Sequence, residues 1–405
     1  PFADNATLQA LLNAGYQQTA GTFHNLTATT ANTVSGQFEA ALDRAHLKVS
    51  SGAFDYKSAV KSAVDSLADT MKYVTYPTGH TDTLEVAARR AVLTGVNQTG
   101  AKLQVARADE MGVEFFETTA HGGARPSHAE WQGRQFHRGG AVDYMGKHYP
   151  DFEAATGYGT GAGLCGWNCR HTFFSIFPEL GPAPAWTQAD LVALNARDIE
   201  YNGGKYTRYE ISQMQRARER TVRKYKRRYL AEDAAGADTT ASAVKLRQAR
   251  QELSDFISAT GGRADSARTS VAGFGRSEAG KASYTARKQE RFDSANVELQ
   301  QMREAGTIKA KGKLIESPPA PNEINFASEH VLQRWAERGM GPMDAERIIR
   351  SSKVAMSQRN GTQTCYYSEY GFVAIGQNGN VSSIGPLDEG GQKLMEVVKK
   401  HGIPH

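Results

Sequence analysis

The sequence predicts a mainly α protein, an elongated helical body with a Gly/His/Cys-rich irregular core, followed by a small α+β domain at the carboxy end. Three observations predict it. Small and apolar residues recur at spacings of three and four from residue 5 to about 110, and again from 185 to about 302. Between them, residues 111–184 keep neither the helical nor the strand period and concentrate glycine, histidine and aromatic side chains. After a proline-rich stretch, two short helical runs precede four β-prone runs parted by NG, YG and NG turns.

A chain of 405 residues has room for two or three domains. The expected divisions are a helical region over 1–110, the irregular core over 111–184, a basic helical region over 185–313, a linker over 314–324 and the α+β domain over 325–405. In the first, FDYKSAVKSAVDSLADTMKYV and DTLEVAARRAVLTGVNQTGAKLQVARADE read as amphipathic helices, and their many alanines and few large aliphatics predict thin helix interfaces. In the second, large side chains are expected to pin loops and short elements. In the third, Thr187 stands as a helix cap before ADLVALN, residues 206–229 read as one strongly basic helix, and 233–245 form a break before a helix over 245–258. The stretch GGRADSARTSVAGFGRSEAGKAS is rich enough in Gly, Ser and Arg to be mobile or ordered by a partner. IESPPAPNEIN, with three prolines, is the best linker. SEHVLQRWAERG and PMDAERIIRSS then read as helices, KVAMSQ, TQTCYYSEY, GFVAIGQ and NVSSIG as strands, and LMEVVKKHG as a closing helix.

The net charge of +5 is modest, but its distribution is not even. Arg216, Arg218, Arg220, Arg223, Lys224, Lys226, Arg227 and Arg228 face a single acid, Glu219, within thirteen residues. That run suits nucleic-acid phosphates or an acidic protein surface; the plain alternative is a solvated helix face. Cys165, Cys169 and Cys365 are too few and too unevenly placed for a disulfide framework, which predicts a reducing, intracellular setting during folding. No apolar run reaches about 18 residues, and the amino end lacks the basic start and apolar middle of a signal peptide, so neither a membrane-spanning segment nor ordinary secretion is expected.

The densest chemistry lies in TGYGTGAGLCGWNCRH, residues 156–171. Cys165, Cys169 and His171 form a C-x3-C-x-H cluster of the soft and borderline ligands that zinc accepts, with the remaining ligands to come from His121, His128 or His137. Two other readings stand beside a structural zinc: a packed knot, in which glycines allow close approach while Trp131, Trp167, Phe173 and Phe174 supply packing surface and Arg125 and Arg170 bridge carbonyls, and a cysteine–histidine nucleophile pair. The glycine and aromatic pattern favours the knot. GTGAG lacks the GK[ST] ending and the preceding strand of a phosphate loop, so ATP and NAD are not expected as cofactors.

A second candidate lies on SEHVLQRWAER, where His330 and Arg334 share one helix face. A histidine that moves the ribose 2′-hydroxyl proton and an arginine that stabilises a phosphorane-like transition state are the minimum for metal-free RNA cleavage. Tyr366, Tyr367, Tyr370 and Ser383 on the strands that follow would add RNA contacts, Tyr367 as a catalytic candidate. An ordinary amphipathic helix is the competing reading.

ETTAHGGARPSHAEWQGRQF (117–136), YPDFEAATGYGTGAGLCGWNCRHTFFSIFPEL (149–180) and YTRYEISQMQRARERTVRKYKRR (206–228) together resemble the tailed-phage minor capsid protein 2 family, the portal-associated minor head proteins, over most of residues 1–300. The family's motif residues fall on His121, Gly123, Arg125, His128, Trp131, Gln132 and Gly133, then on Gly157, Tyr158, Gly159, Cys165, Asn168, Cys169, Arg170 and His171. The resemblance implies a structural virion component, assembled in the host cytoplasm near the portal vertex, with portal and other head proteins as partners and a part in head morphogenesis or genome ejection. It assigns no reaction to the motif. Residues 323–390 resemble the small RNase-like toxin domains of the barnase, colicin and RelE type that are fused to phage head proteins, with His330 and Arg334 at the expected helix positions. The main body is thus expected to be non-enzymatic, and a ribonuclease, if present, to lie at the carboxy end.

Overall fold

The computed structural model describes residues 32–50, 52, 54–67, 73–75, 81–181, 183–321, 323–326 and 329–404, so the helices expected before residue 32 lie outside the described residues. The chain is mainly helical, with twelve α-helices among the described residues. It divides into two compact units, Pro1–Leu230 with Gln248–Gly275, and Ala231–Arg247 with Arg276–His405.

The first unit opens with a layer of three helices, α1 (Asn32–Ser50), α2 (Tyr56–Leu67) and α3 (Leu84–Met111), with a small hairpin β1 (Tyr73–Thr75) and β2 (Thr81–Thr83) between the last two. Each helix buries one stripe: Phe38, Ala41, Leu42 and Ala45 on α1; Ala59, Val60, Ala63, Val64 and Leu67 on α2; Leu84, Ala87, Ala88, Ala91 and Val92 on α3. These are the three- and four-residue spacings read from the sequence, and the alanines let the helices approach closely. The helix α3 stops at Gly112, whose left-handed backbone (φ 64°) returns its N–H to Ala108 and Asp109 carbonyls.

Beyond that stop the elements shorten, as the loss of periodicity predicts. Strand β3 (Phe115–Thr118) is followed by helix α4 (Pro126–Ala129), β4 (Gln135–His137), the hairpin β5 (Val142–Tyr144) and β6 (Lys147–Tyr149), helix α5 (Phe152–Thr156) and β7 (Phe173–Ser175). β3 lies between β4 and β7, antiparallel to both. Phe116, Phe136, Phe152 and Phe173 form an aromatic core against it, with Phe116, Phe152 and Phe173 about 5 Å apart ring to ring. Helix α6 (Gln188–Leu194) is capped by Thr187 in a reciprocal box with Asp190, and a hairpin β8 (Ile199–Tyr201) and β9 (Gly204–Tyr206) leads to α7 (Arg208–Ala234). Thr207 and Glu210 form a second capping box at its start. Helix α8 (Thr240–Thr260) follows.

The stretch expected to be mobile is instead used by α7. Gln215 donates to the Arg263 carbonyl, Arg223 to the Arg268 carbonyl and Lys226 to the Thr269 carbonyl, while the buried Glu219 meets Arg268. Several of the basic candidates are therefore engaged within the unit, among them Arg223 and Lys226 on these carbonyls, Arg227 on Glu85, and Arg218 over the Phe256 ring and on the Tyr201 hydroxyl. Arg220, Lys224 and Arg228 are exposed along one stripe, and Arg216 lines a cleft described below.

The second unit is built on a five-stranded antiparallel meander, β10 (Lys313–Glu316), β11 (Val354–Gln358), β12 (Gln363–Ser368), β13 (Gly371–Gly376) and β14 (Val381–Gly385). Side chains alternate across it. Val354, Met356, Cys365, Tyr367 and Ala374 face one core with Phe292 and Leu299 of α9 (Arg276–Glu304) and Leu394 and Val398 of α12, which spans Glu389–Lys400. Ala355, Tyr366, Val373, Ile375 and Ile384 face the other, with Trp335 of α10 (Glu329–Glu337) and Ile348 and Ile349 of α11 (Pro342–Ser351). The expected linker contributes β10 at one sheet edge, and the Tyr366 hydroxyl donates to the Pro319 carbonyl, so residues 314–319 are held by the sheet. No described helix is long and apolar enough to cross a membrane.

Candidate metal centre and its cationic cleft

The glycine-rich loop between α5 and β7 folds back on itself so closely that side chains are excluded. A Cβ on Gly163 would stand 2.0 Å from the Gly157 carbonyl oxygen, and one on Gly166 would stand 2.4 Å from that of Gly161. Cys165 and Asn168 take left-handed backbone, with φ of 60° and 54°. Asn97 of α3 donates through its amide to the carbonyls of Cys169 (3.2 Å) and His171 (3.1 Å), which ties the loop to the helical layer.

This path brings three ligand atoms together. Cys169 Sγ lies 3.7 Å from His128 Nδ1 and 3.6 Å from His171 Nδ1, and the three atoms are all within 4.8 Å of one another. All three residues are buried; His171 is 1% exposed and His128 2%. The far nitrogen of each ring is engaged: His128 Nε2 with the Ala162 carbonyl at 2.9 Å, His171 Nε2 with Gln132 Oε1 at 3.0 Å. Trp131 packs edge-on to His171, and His121 stacks on His171 with ring centroids 4.2 Å apart.

The convergent set differs from the expected one. Cys165 is not in it, because its left-handed backbone turns Sγ toward the His171 carbonyl at 3.5 Å. His128, 41 residues upstream of Cys169 and placed by α4, takes that position instead. His137 is held on β4 by the Gly140 carbonyl and Glu114 and does not approach. Arg125 donates to the Trp167 carbonyl at 2.5 Å. Asn97 went unread in the sequence: an amide inside an otherwise regular helix carries no local signal.

Burial sets the protonation states. It pushes the Cys165 thiol up to about 12 and raises Cys169; it holds His128 below the usual imidazole range and takes His171 down to about 3, with His121, His128 and Arg125 adding to the effect on His171. Neutral rings and a buried thiol make a poor nucleophile pair.

The cluster lines one side of a cleft of about 580 Å³. Arg125, Arg170, Arg208, Arg216, Arg263 and Arg268, with Lys57, are among the other residues that line it. Asp265 is the one lining carboxylate among the described residues, and it is engaged by the Tyr56 hydroxyl (3.0 Å), Arg268 (3.4 Å) and Lys57 (3.8 Å). Burial lowers Arg216, and the neighbouring Arg268 and Arg170 lower it further.

The carboxy-terminal candidates are arranged differently. Helix α10 forms where expected and carries His330 and Arg334, whose side chains lie outside the described ones. Tyr367 is a correction: it is 7% exposed inside the sheet core, burial pushes its hydroxyl up, and it cannot meet RNA while that core is closed. Tyr366 is buried in the opposite core, and Tyr370 is exposed with Arg347 stacked 4.1 Å above its ring.

Among known proteins, the family model described as phage minor capsid protein 2 matches residues 1–258. No curated protein and no solved structure matches the chain.

Proposed function

The chain belongs to the phage minor capsid protein 2 family, and from that premise we propose that it is a structural protein of a tailed-phage head, seated at or near the portal vertex and acting in head morphogenesis or genome ejection. The family makes it a virion protein with other phage head proteins as partners. The observation that carries the reading is the match over residues 1–258, which spans the helical layer, the three-stranded sheet, the glycine-rich loop and nearly all of α7 and α8. In this reading the portal protein is the principal partner, and the exposed stripe of Arg220, Lys224 and Arg228 meets packaged DNA or an acidic portal surface. A symmetry-relaxed reconstruction of the virion tests the placement. Density for the chain at a single vertex is expected, and density spread over the capsid away from the portal rejects it.

Residues 259–405 lie outside the family match. For the α+β unit, a metal-independent ribonuclease delivered with the virion rests on His330 and Arg334, about one turn apart on α10. The full chain and its His330→Ala form, each incubated with transfer RNA in EDTA, decide this. Cleavage lost on substitution supports the enzyme; no cleavage by either, or equal cleavage by both, rejects it.

A further inference from the structure

We propose that His128 Nδ1, Cys169 Sγ and His171 Nδ1 hold a zinc ion whose fourth position opens on the arginine-lined cleft and takes a phosphate-class oxyanion there. The inference stands on the cluster's own geometry and is independent of where the protein sits in the virion.

The hydrogen bonds around the cluster assign its protons. A backbone carbonyl only accepts, so His128 Nε2 carries the hydrogen it gives to Ala162. Gln132 Oε1 also accepts the His121 backbone N–H at 3.1 Å, which identifies that atom as the oxygen, so His171 Nε2 is likewise the donor. Both Nδ1 atoms are then bare lone pairs, and both point at one sulfur. A thiol has a single proton and can satisfy only one of them. A cation satisfies all three atoms together, with the thiol proton released on binding.

The sulfur–nitrogen separations agree with zinc. Bond lengths of about 2.3 Å to sulfur and about 2.0–2.1 Å to nitrogen, opened to the tetrahedral angle, put sulfur and nitrogen about 3.6 Å apart. The observed separations are 3.7 and 3.6 Å. One thiolate and two imidazoles suit zinc and disfavour magnesium or calcium, which take oxygen ligands. The outer bonds fit as well, because a ligating imidazole characteristically donates its other N–H to a carbonyl, as both rings do here.

Three protein ligands leave one position, the arrangement of an open zinc site. His121 does not fill it in this conformation: its ring lies stacked on His171, and its Nε2 is buried without a hydrogen-bond partner. His121 itself lines the same cleft. With thiolate bound, the zinc retains one positive charge, and the cleft adds seven basic side chains against Asp265 and, beside Arg268, Glu219. An oxyanion with several acceptor oxygens fits that field, and arginine forks fit phosphate.

The test uses the untagged full chain. Metal analysis is expected to find stoichiometric zinc in the unaltered protein and in Cys165→Ser, and at least about a tenfold loss in Cys169→Ser and His128→Ala. Substoichiometric zinc in the unaltered protein, or loss in Cys165→Ser with retention in Cys169→Ser, overturns the ligand set. Should the ligand variants misfold, the cobalt-substituted unaltered protein still decides. A thiolate-to-cobalt charge-transfer band with intense four-coordinate d–d bands supports the site, and their absence overturns it. Inorganic phosphate and a short single-stranded DNA are then titrated into the cobalt form. Shifted d–d bands with phosphate assign a free-phosphate ligand, shifts with DNA alone assign a nucleic-acid backbone, and unchanged bands with both overturn the open position.

Discussion

The five-stranded unit and the glycine-rich loop solve the same problem, holding a chain in one conformation, by opposite means. The sheet does it by repetition: Val354, Met356, Cys365 and Tyr367 go to one core, Ala355, Tyr366, Val373 and Ile375 to the other, and helices cover both. The loop does it by single contacts: one asparagine on two carbonyls, glycines at backbone-to-backbone approach, and two imidazoles converging on one sulfur. A repetitive region spreads its stability over many small burials. A region of single contacts concentrates it, and places chemistry where the contacts converge.

The strongest way to break the comparison is to remove the largest buried side chain of the repetitive unit. Trp335, 2% exposed, packs edge-on to Phe326 over the sheet. Trp335→Ala is expected to cost about 3–5 kcal/mol. Hydrogen exchange read by mass spectrometry should show protection falling together across peptides covering 354–385. Loss confined to α10 and its neighbours would show that the two cores do not act as one structure.

Asn97→Ala is the matching experiment on the loop. It leaves the carbonyls of Cys169 and His171 without their donor and is expected to cost about 1–3 kcal/mol. Protection should fall in peptides covering 156–175 and hold in 354–385. Unchanged exchange at 156–175 would mean that the loop is held by its own packing.

The same contrast explains what was legible. Strands β11 to β14 and helices α10 to α12 follow from periodicity and turn residues, because both faces of each strand and one face of each helix must be buried. Strand β10 was hidden because it abuts prolines that read as a linker, and a sheet edge tolerates them. Within the loop, Cys169 and His171 stood out by type and spacing. Cys165 misled, since spacing does not show that its backbone is left-handed. His128 was visible only as one of several distant histidines, and the choice among them is made by the aromatic core that folds α4 against the loop. The basic run was read as a unit because the carbonyls that occupy Arg223 and Lys226 lie in a segment that composition alone marks as mobile.

Lys226 offers a smaller, pH-dependent effect. Burial, with Arg250 and Arg223 nearby, brings its ammonium from an ordinary 10.5 down to about 8. Between those values the unfolded chain binds more protons at this side chain than the folded one, so its contribution to stability rises with pH from about 8 to 10.5. Urea unfolding of the unaltered chain and Lys226→Met should give a stability difference that shifts in favour of the unaltered chain across that window. A difference that stays flat would show a solvated ammonium.

The smallest effect on stability is expected where the basic run faces water. Arg220 and Lys224 are exposed on α7, whereas Arg223 and Lys226 are buried, so Arg220→Glu with Lys224→Glu should change unfolding free energy by no more than about 0.5 kcal/mol. Retention on immobilised duplex DNA should nevertheless fall, and its dependence on salt should become shallower by about two lost phosphate contacts. Arg223→Ala should do the reverse, lowering stability through the lost bond to the Arg268 carbonyl while leaving the salt slope in place. Equal salt slopes for the unaltered chain and the double variant would remove this face from DNA contact and leave the arginines of the cleft as the cations that meet phosphate.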